Sequence, residues 1–329
     1  MILLRKILFP FAIIYWVITY VRNWLYDVGI FKSSTFNLPV IAVGNLSVGG
    51  TGKTPHIEML IRMLKDFKVA TLSRGYKRTS EGFVLANEQS DAAILGDEPF
   101  QFYSKFPHVS VAVDADRRNG IQELLKRVNP EVILLDDAYQ HRKVKAGFYV
   151  LLTTYNDLFC DDFILPFGNL REPSRGKKRA DIVIVTKCPN GLNEIEQTKI
   201  KKKLKVKVPV YFSTIEYDQK VYSENGIESV ADLDDIVLVA GIAKPDLFFD
   251  FFGKVKTEKI IFPDHHNFTE QDLDKIKTAA QNRKIVTTEK DYMRLKGKLP
   301  SHQLFYLPIQ SKLIHSSEAF QQTILRYVG

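Results

Sequence analysis

The stretch Pro39-Val40-Ile41-Ala42-Val43-Gly44-Asn45-Leu46-Ser47-Val48-Gly49-Gly50-Thr51-Gly52-Lys53-Thr54-Pro55 decides the fold. It reads as a buried strand running into a phosphate-binding loop and then a helix. Ile57, Leu60, Ile61 and Leu64 continue at helical spacing, so the loop opens onto a helix N-terminus, where backbone N–H groups favour anions. The glycines let the backbone turn its N–H groups around phosphate oxygens. Lys53 brings a cation, and the Thr54 hydroxyl is suited to Mg²⁺. Gly49, Gly50, Thr51, Gly52, Lys53, Thr54 and Pro55 are therefore the candidate nucleotide cradle. One departure is evident: G-x-x-x-x-G-K-[ST] places glycine where this chain has Ser47.

Outward from that loop, strands alternate with helices. Lys68 to Leu72 reads as a strand, and the basic loop Ser73-Arg74-Gly75-Tyr76-Lys77-Arg78 follows it. In open α/β sheets ligands sit at the carboxyl ends of strands, so Arg74 and Tyr76 are phosphate or substrate candidates, with a solvated surface loop as the alternative. Gly96-Asp97-Glu98-Pro99 places two carboxylates in a turn. Taken alone this is ordinary turn chemistry; near a phosphate loop it makes Asp97 a candidate base and Glu98 a candidate metal ligand. The strand Val109 to Val113 ends in Asp114, Asp116, Arg117 and Arg118. Arg117 joins the phosphate candidates, although the same cluster also suits a helix start.

Glu131 to Leu135 is an apolar strand ending in Asp136-Asp137, the pattern of an element that holds Mg²⁺ directly or through water. The basic loop Leu165-Pro166-Phe167-Gly168-Asn169-Leu170-Arg171-Glu172-Pro173 contributes Asn169 and Arg171. Thr186-Lys187-Cys188-Pro189 begins like a guanine-reading element but lacks its Asp, which favours ATP over GTP. Further on, Asp264-His265-His266 offers a hydrogen-bonding partner for a carboxylate; adjacent histidines point apart and make a poor metal pair. Lys290 and Asp291 could reach the cleft between the two halves, with a surface ion pair as the safer expectation.

The 329 residues, 45% hydrophobic and 26% charged, describe a globular chain with room for more than one core. A net charge of +8 points to an anionic partner without choosing among lipid, phosphorylated substrate and nucleic acid. The two cysteines, Cys160 and Cys188, support neither a disulfide framework nor a zinc site. Met1 to Phe31 holds an apolar run, Ile7 to Val21, flanked by Arg5, Lys6 and Arg22. It is shorter than the roughly 20 residues that span a bilayer, and with Trp16, Tyr20 and Trp24 it reads as an interfacial anchor. A helix packed on the domain is the alternative.

The expected architecture is α/β: a P-loop NTPase-type, mainly parallel sheet with helices on both faces, a smaller C-terminal α/β domain and an N-terminal membrane-associated helix. The expected boundaries are 1–31 for that helix, 32–212 for the nucleotide-binding domain, 213–235 for an extended linker and 236–329 for the C-terminal domain.

VGNLSVGGTGKTP, LSRGY, LGDEP, LLDDAYQH, LPFGNLREP, AGIAKP, FPDHHNFT and TTEKD, in that order behind an apolar N-terminal helix, resemble the tetraacyldisaccharide 4′-kinase family of lipid A biosynthesis. Ala138 stands where that family usually has Gly. The resemblance implies transfer of the ATP γ-phosphoryl group to the 4′-hydroxyl of a tetraacylated glucosamine disaccharide 1-phosphate, at the cytosolic face of the bacterial inner membrane. It implies no nucleic acid and no obligatory protein partner. It gives phosphate and Mg²⁺ to Lys53 and Thr54, the metal to Asp136 and Asp137, and the base to Asp97, tuned by His265 or His266 as the two halves close. Arg171 is expected on the transferring phosphate. The rival classes are a membrane-surface P-loop NTPase switch or metallochaperone and a nonenzymatic basic membrane module; the latter leaves Lys53, Thr54 and Asp137 unused.

Overall fold

A computed structural model describes residues 7–243, 245–253, 255–264 and 266–329. The strands, in chain order, are β1 (Val40–Asn45), β2 (Val69–Ser73), β3 (Val84–Leu85), β4 (Ser110–Val113), β5 (Val132–Asp136), β6 (Phe148–Thr154), β7 (Ile182–Thr186), β8 (Val210–Tyr217), β9 (Lys220–Ser223), β10 (Gly226–Ser229), β11 (Asp235–Ala240), β12 (Lys256–Ile261), β13 (Lys284–Thr288), β14 (Leu304–Leu307) and β15 (Ile309–Leu313). They form a nine-stranded sheet in the order β15-β8-β7-β6-β1-β5-β2-β4-β3 and a six-stranded sheet in the order β10-β9-β14-β13-β11-β12.

From β8 to β4 the first sheet is parallel, and antiparallel partners close its edges, β15 on β8 and β3 on β4. Residues of β1, β2, β5 and β7 are buried throughout, because helices cover both faces of a parallel sheet. Their near-continuous Val, Ile, Leu and Ala composition follows from that. Ile41, Val43, Ile57, Leu60, Val132 and Leu134 pack into one core. Val40, Ala42, Ala70, Leu72, Ile133 and Leu135 point into another on the opposite face.

Two expected boundaries are corrected by the pairing. The stretch read as a linker, 213–235, is divided between the sheets: β8 extends the first, while β9 and β10 form a hairpin on the second. The C-terminal segment does not stay with the second sheet either. β15 returns to pair with β8, and Phe320 and Ile324 of the helix Ser317–Val328 enter the core beside Ile57 and Leu60. The physical reason is that β8 would otherwise be an unpaired edge and that core would lose two large apolar side chains.

His56, in the helix Lys53–Met63, fastens this return. Its Nδ1 lies 2.7 Å from the Gly52 carbonyl oxygen and 3.2 Å from Ser311 Oγ, and its Nε2 lies 2.9 Å from Ser213 Oγ. Burial lowers its pKa to about 4, against a smaller opposing pull from the Gly52 carbonyl. The folded state thus holds neutral imidazole, and between pH 6.5 and 4 the unfolded chain binds the extra proton. His56 therefore contributes stability that is complete above pH 6.5 and disappears as pH falls towards 4, amounting to about 3 kcal/mol. His141, also lowered to about 4 by burial first and Arg117 second, adds to the same trend. Melting curves from pH 7 to 4 should show a shallower pH dependence in His56→Gln than in the parent; parallel curves would refute this assignment.

The helix Phe9–Asp27 lies against the first sheet's domain along one stripe. Ala12 and Thr19 are buried, Tyr15 Oη donates to the Arg171 carbonyl at 3.0 Å, Asn23 Nδ2 donates to Glu172 at 2.7 Å, and Arg22 donates to the Gln140 carbonyl at 2.9 Å. The opposite side is apolar and exposed: Phe11 is 61% exposed, Ile14 57% and Ile18 59%. Among the described residues no helix is long and apolar enough to cross a membrane.

Candidate active site

β1 ends at Asn45, and the loop that follows turns at Gly49 (φ +104°) and Gly52 (φ +82°) before the helix Lys53–Met63 begins. Gly52 adopts the left-handed conformation that favours glycine, and Lys53, Thr54 and Pro55 form the first turn behind it. Gly49 and Gly50 are exposed, and Thr51 is buried. Asn45 Nδ2 donates to Thr51 Oγ1 at 2.8 Å, and Thr186 Oγ1 donates to the Thr51 carbonyl at 2.9 Å, so strand ends on both sides hold the loop. Val48 N donates to the Asn169 carbonyl at 2.8 Å, which makes Asn169 a backbone support of the cradle. Replacing Gly44 in β1 would bring a Cβ within 2.7 Å of Tyr139 Cβ, so the close approach there needs glycine.

Asp136 closes β5, and Asp137 follows in a left-handed conformation, φ +47°, that non-glycine residues seldom occupy. Strained residues of this kind cluster at functional turns. Lys53 Nζ lies 3.5 Å from Asp137 Oδ1, and Arg171 Nη1 donates to both Asp137 oxygens at 3.1 Å. Despite burial, Lys53 and Arg171 hold the Asp137 carboxyl below the usual range. Asp136 goes the other way, up to about 6, through burial first and the Asp137 charge second. Ser73 Oγ donates to Asp136 Oδ2 at 3.3 Å, while Asp136 Oδ1 and Asn45 Oδ1 are buried acceptors with no hydrogen-bond partner among the described residues.

Arg117 is buried and donates to the backbone carbonyls of Asp114, Ala115 and Asp136, so it braces the end of β5. Burial lowers its pKa to about 10, and the Arg74 charge adds to that lowering. Arg74 and Tyr76 lie in the exposed loop after β2, with Lys77 Nζ 5.7 Å from the centre of the Tyr76 ring.

Gly96, at φ +93°, separates the short helix Ala92–Leu95 from the helix Asp97–Lys105, and Asp97 and Glu98 open the latter. The Glu98 charge adds, after burial and the Asp137 charge, to the raising of Asp136. Asp97 is not held by His266. It is ion-paired with Arg294 of the helix Glu289–Leu295, from the other sheet's domain. His266 Nε2 instead lies 2.9 Å from Asp272 Oδ2, within the capping box that opens the helix Glu270–Ala280. The expectation for His265 lies outside the described residues.

Lys290 and Asp291 are not a surface ion pair. Asp291 is fully buried and accepts from Gly241 N and Thr288 Oγ1 at 2.8 Å each, and Lys290 Nζ lies 4.0 Å from Glu98 and 3.6 Å from Asp264. Arg294 and Glu289, which the sequence reading did not single out, complete the contact between the two halves. Lys105 Nζ bridges Glu289 at 2.5 Å and Glu58 at 2.8 Å, and Glu58 also accepts from Gln101 at 2.8 Å.

This geometry has known counterparts. The family model of tetraacyldisaccharide-1-P 4′-kinase, LpxK, matches residues 4–329. The chain belongs to the LpxK family. Relatives named tetraacyldisaccharide 4′-kinase include one from Flavobacterium johnsoniae, 59% identical over 99% of this chain and 98% of its own length. Another, from Bacteroides fragilis, is 44% identical over 99% of this chain and 93% of its own length. The crystal structure of LpxK from Aquifex aeolicus in complex with ATP superposes with a TM-score of 0.82 at 31% identity, covering 99% of this chain and 100% of that one. The LpxK fold, an α/β architecture with mostly parallel sheets, is therefore the fold expected from Pro39 to Pro55 outward.

Proposed function

We propose that this LpxK family member transfers the γ-phosphoryl group of ATP to the 4′-hydroxyl of a tetraacylated glucosamine disaccharide 1-phosphate, as the names of its relatives suggest. The observation that carries the reading is the charged cluster at the phosphate loop, Lys53 and Arg171 on Asp137 beside Asp136, with Asp97 and Glu98 opening a separate helix whose Glu98 charge is felt at Asp136. A switch NTPase needs that cluster. Transfer to an acceptor gives Asp97 a chemical task beyond its ion pair with Arg294.

Lys53 and the backbone N–H groups of Gly49 to Thr54 would take the β- and γ-phosphates, and Arg171 the charge that develops on the transferring group. The donors fit Mg²⁺. The cation would be shared between a few protein oxygens and nucleotide phosphates. Thr54, Asp136 and Asp137 would supply those protein oxygens, with Glu98, expected among the ligands, contributing its charge rather than completing a three-carboxylate set, and the unpartnered Asp136 Oδ1 is available for that use. When bound, Mg²⁺ neutralises phosphate charge. Asp97 would accept the 4′-hydroxyl proton as its oxygen bonds phosphorus and the bond to ADP breaks.

The exposed apolar side of the helix Phe9–Asp27 would lie in the headgroup region of the cytosolic face of the inner membrane. Beside Tyr20 and Trp24, Arg175 and Lys178 are exposed and line a cavity of about 260 Å³, where anionic lipid would meet positive charge. A Phe11→Asn, Ile14→Asn, Ile18→Asn variant should float with anionic phospholipid vesicles much less than the parent; equal flotation would remove this docking mode.

The function is tested with γ-labelled ATP, Mg²⁺ and tetraacyldisaccharide 1-phosphate in detergent. Labelled lipid supports the kinase. Release of phosphate without labelled lipid would instead support the NTPase switch.

A further inference from the structure

Three ion pairs connect one seven-residue helix of the second sheet's domain, Glu289–Leu295, to the helix Asp97–Lys105 of the first: Glu289 with Lys105, Lys290 with Glu98, and Arg294 with Asp97. The third is built differently from the other two. Arg294 turns two donors of its guanidinium, Nε at 3.0 Å and Nη2, onto a single oxygen, Asp97 Oδ2. Its remaining side is also held. Nη1 lies 3.8 Å from Asp291 Oδ1 and donates to the His266 carbonyl at 3.5 Å, and Asp291 is itself fixed by Gly241 N and Thr288 Oγ1. The Arg294 side chain is only 10% exposed.

We propose that Arg294 is a positioning residue for Asp97, anchoring Oδ2 of its carboxylate so that the acceptor hydroxyl meets the group in a productive direction. The inference rests on the reading of Asp97 as the base. Asp97 sits at a helix start behind Gly96, a place where backbone and side chain both have freedom to lose. A planar fork with two donors on one oxygen removes that freedom in a way a point charge does not. Because the fork arrives from the other domain, base geometry becomes conditional on the two halves meeting.

The test uses the full chain with labelled ATP and the glycolipid acceptor. Arg294→Ala should lower kcat by about 10- to 100-fold, the range a misplacement of about 1 Å produces, with the KM for ATP within about twofold of the parent. Added ethylguanidinium should restore part of that turnover and leave the parent unaffected. Arg294→Lys should fall between the two, and it carries the test if Arg294→Ala does not melt as a folded protein. In an Asp97→Asn background, Arg294→Ala should cost nothing further, since it acts through Asp97. A kcat within twofold of the parent in both Arg294 variants overturns the positioning role, as does a full additive loss on Asp97→Asn. Parent-like turnover by Asp97→Asn alone overturns the base reading instead, so the two failures are distinguishable.

Discussion

Replacing Asp97 by Asn lowers the turnover of glycolipid phosphorylation by about 10²- to 10⁴-fold, the range that a positioned proton acceptor contributes. The amide is close in shape to the carboxylate and leaves the helix start and Gly96 undisturbed, but it cannot take a proton from a sugar hydroxyl. The proposed ATP contacts are at Gly49 to Thr54, so the dissociation constant for ATP should stay within about twofold. A fall in kcat with unchanged nucleotide affinity locates the defect in the chemical step. Single-turnover kinetics with labelled ATP measure it. An Asn variant that keeps more than a tenth of parental turnover would remove Asp97 from the proton-transfer role.

The second large effect is expected at Lys53. Its ammonium lies 3.5 Å from Asp137 and stands at the helix N-terminus proposed to receive phosphate. Lys53→Ala removes a cation from a site already holding Asp136 and Asp137, so the triphosphate would enter against two carboxylates with less compensation. Turnover should fall by about 10²- to 10³-fold, with weaker ATP binding as well. Lys53→Arg should not restore it, because a branched planar fork does not fit a loop shaped around a compact charge. Equilibrium ATP binding and kcat, measured on the same preparations, check both parts; full activity in Lys53→Arg would contradict the argument about shape.

Where Lys53 and the Asp136-Asp137 pair lie in the fold was legible in the sequence because their signals are local. Gly52-Lys53-Thr54 follows a run of strand-formers, and Asp136-Asp137 ends another, so the strands at 40–45 and 132–136 and their polar ends could be placed without knowing what packs where. The Asp97–Arg294 pair is different. Its partners are 197 residues apart, and nothing near Arg294 distinguishes it from any arginine on a short amphipathic helix. Lys290 and Asp291 looked like a surface pair for the same reason: burial of Asp291 depends on Gly241 N, which belongs to another loop.

The stretch from 213 to 235 was misread for want of one local cue. Glu224-Asn225 form the two-residue turn, and Gly226 behind them pairs with Ser223 as β9 closes onto β10. No comparable cue announced that β15 and the final helix rejoin the first sheet, because an amphipathic helix and an edge strand satisfy either sheet equally well. That choice is made by what is left uncovered, here β8 and the apolar side chains around Ile57.

The return of β15 also bears on how the chain is made. A ribosome releases residues in order, so the phosphate loop leaves early while the strand and helix that complete its sheet leave last. Until then β8 is an open edge and His56 lacks Ser311, with the whole second sheet already emerged between them. Contacts this distant in sequence fold slowly and leave sticky surfaces waiting. Nascent chains arrested before residue 309 should therefore be protease-sensitive in the nucleotide-binding half even when the second sheet resists digestion, and chaperones would find their substrate there.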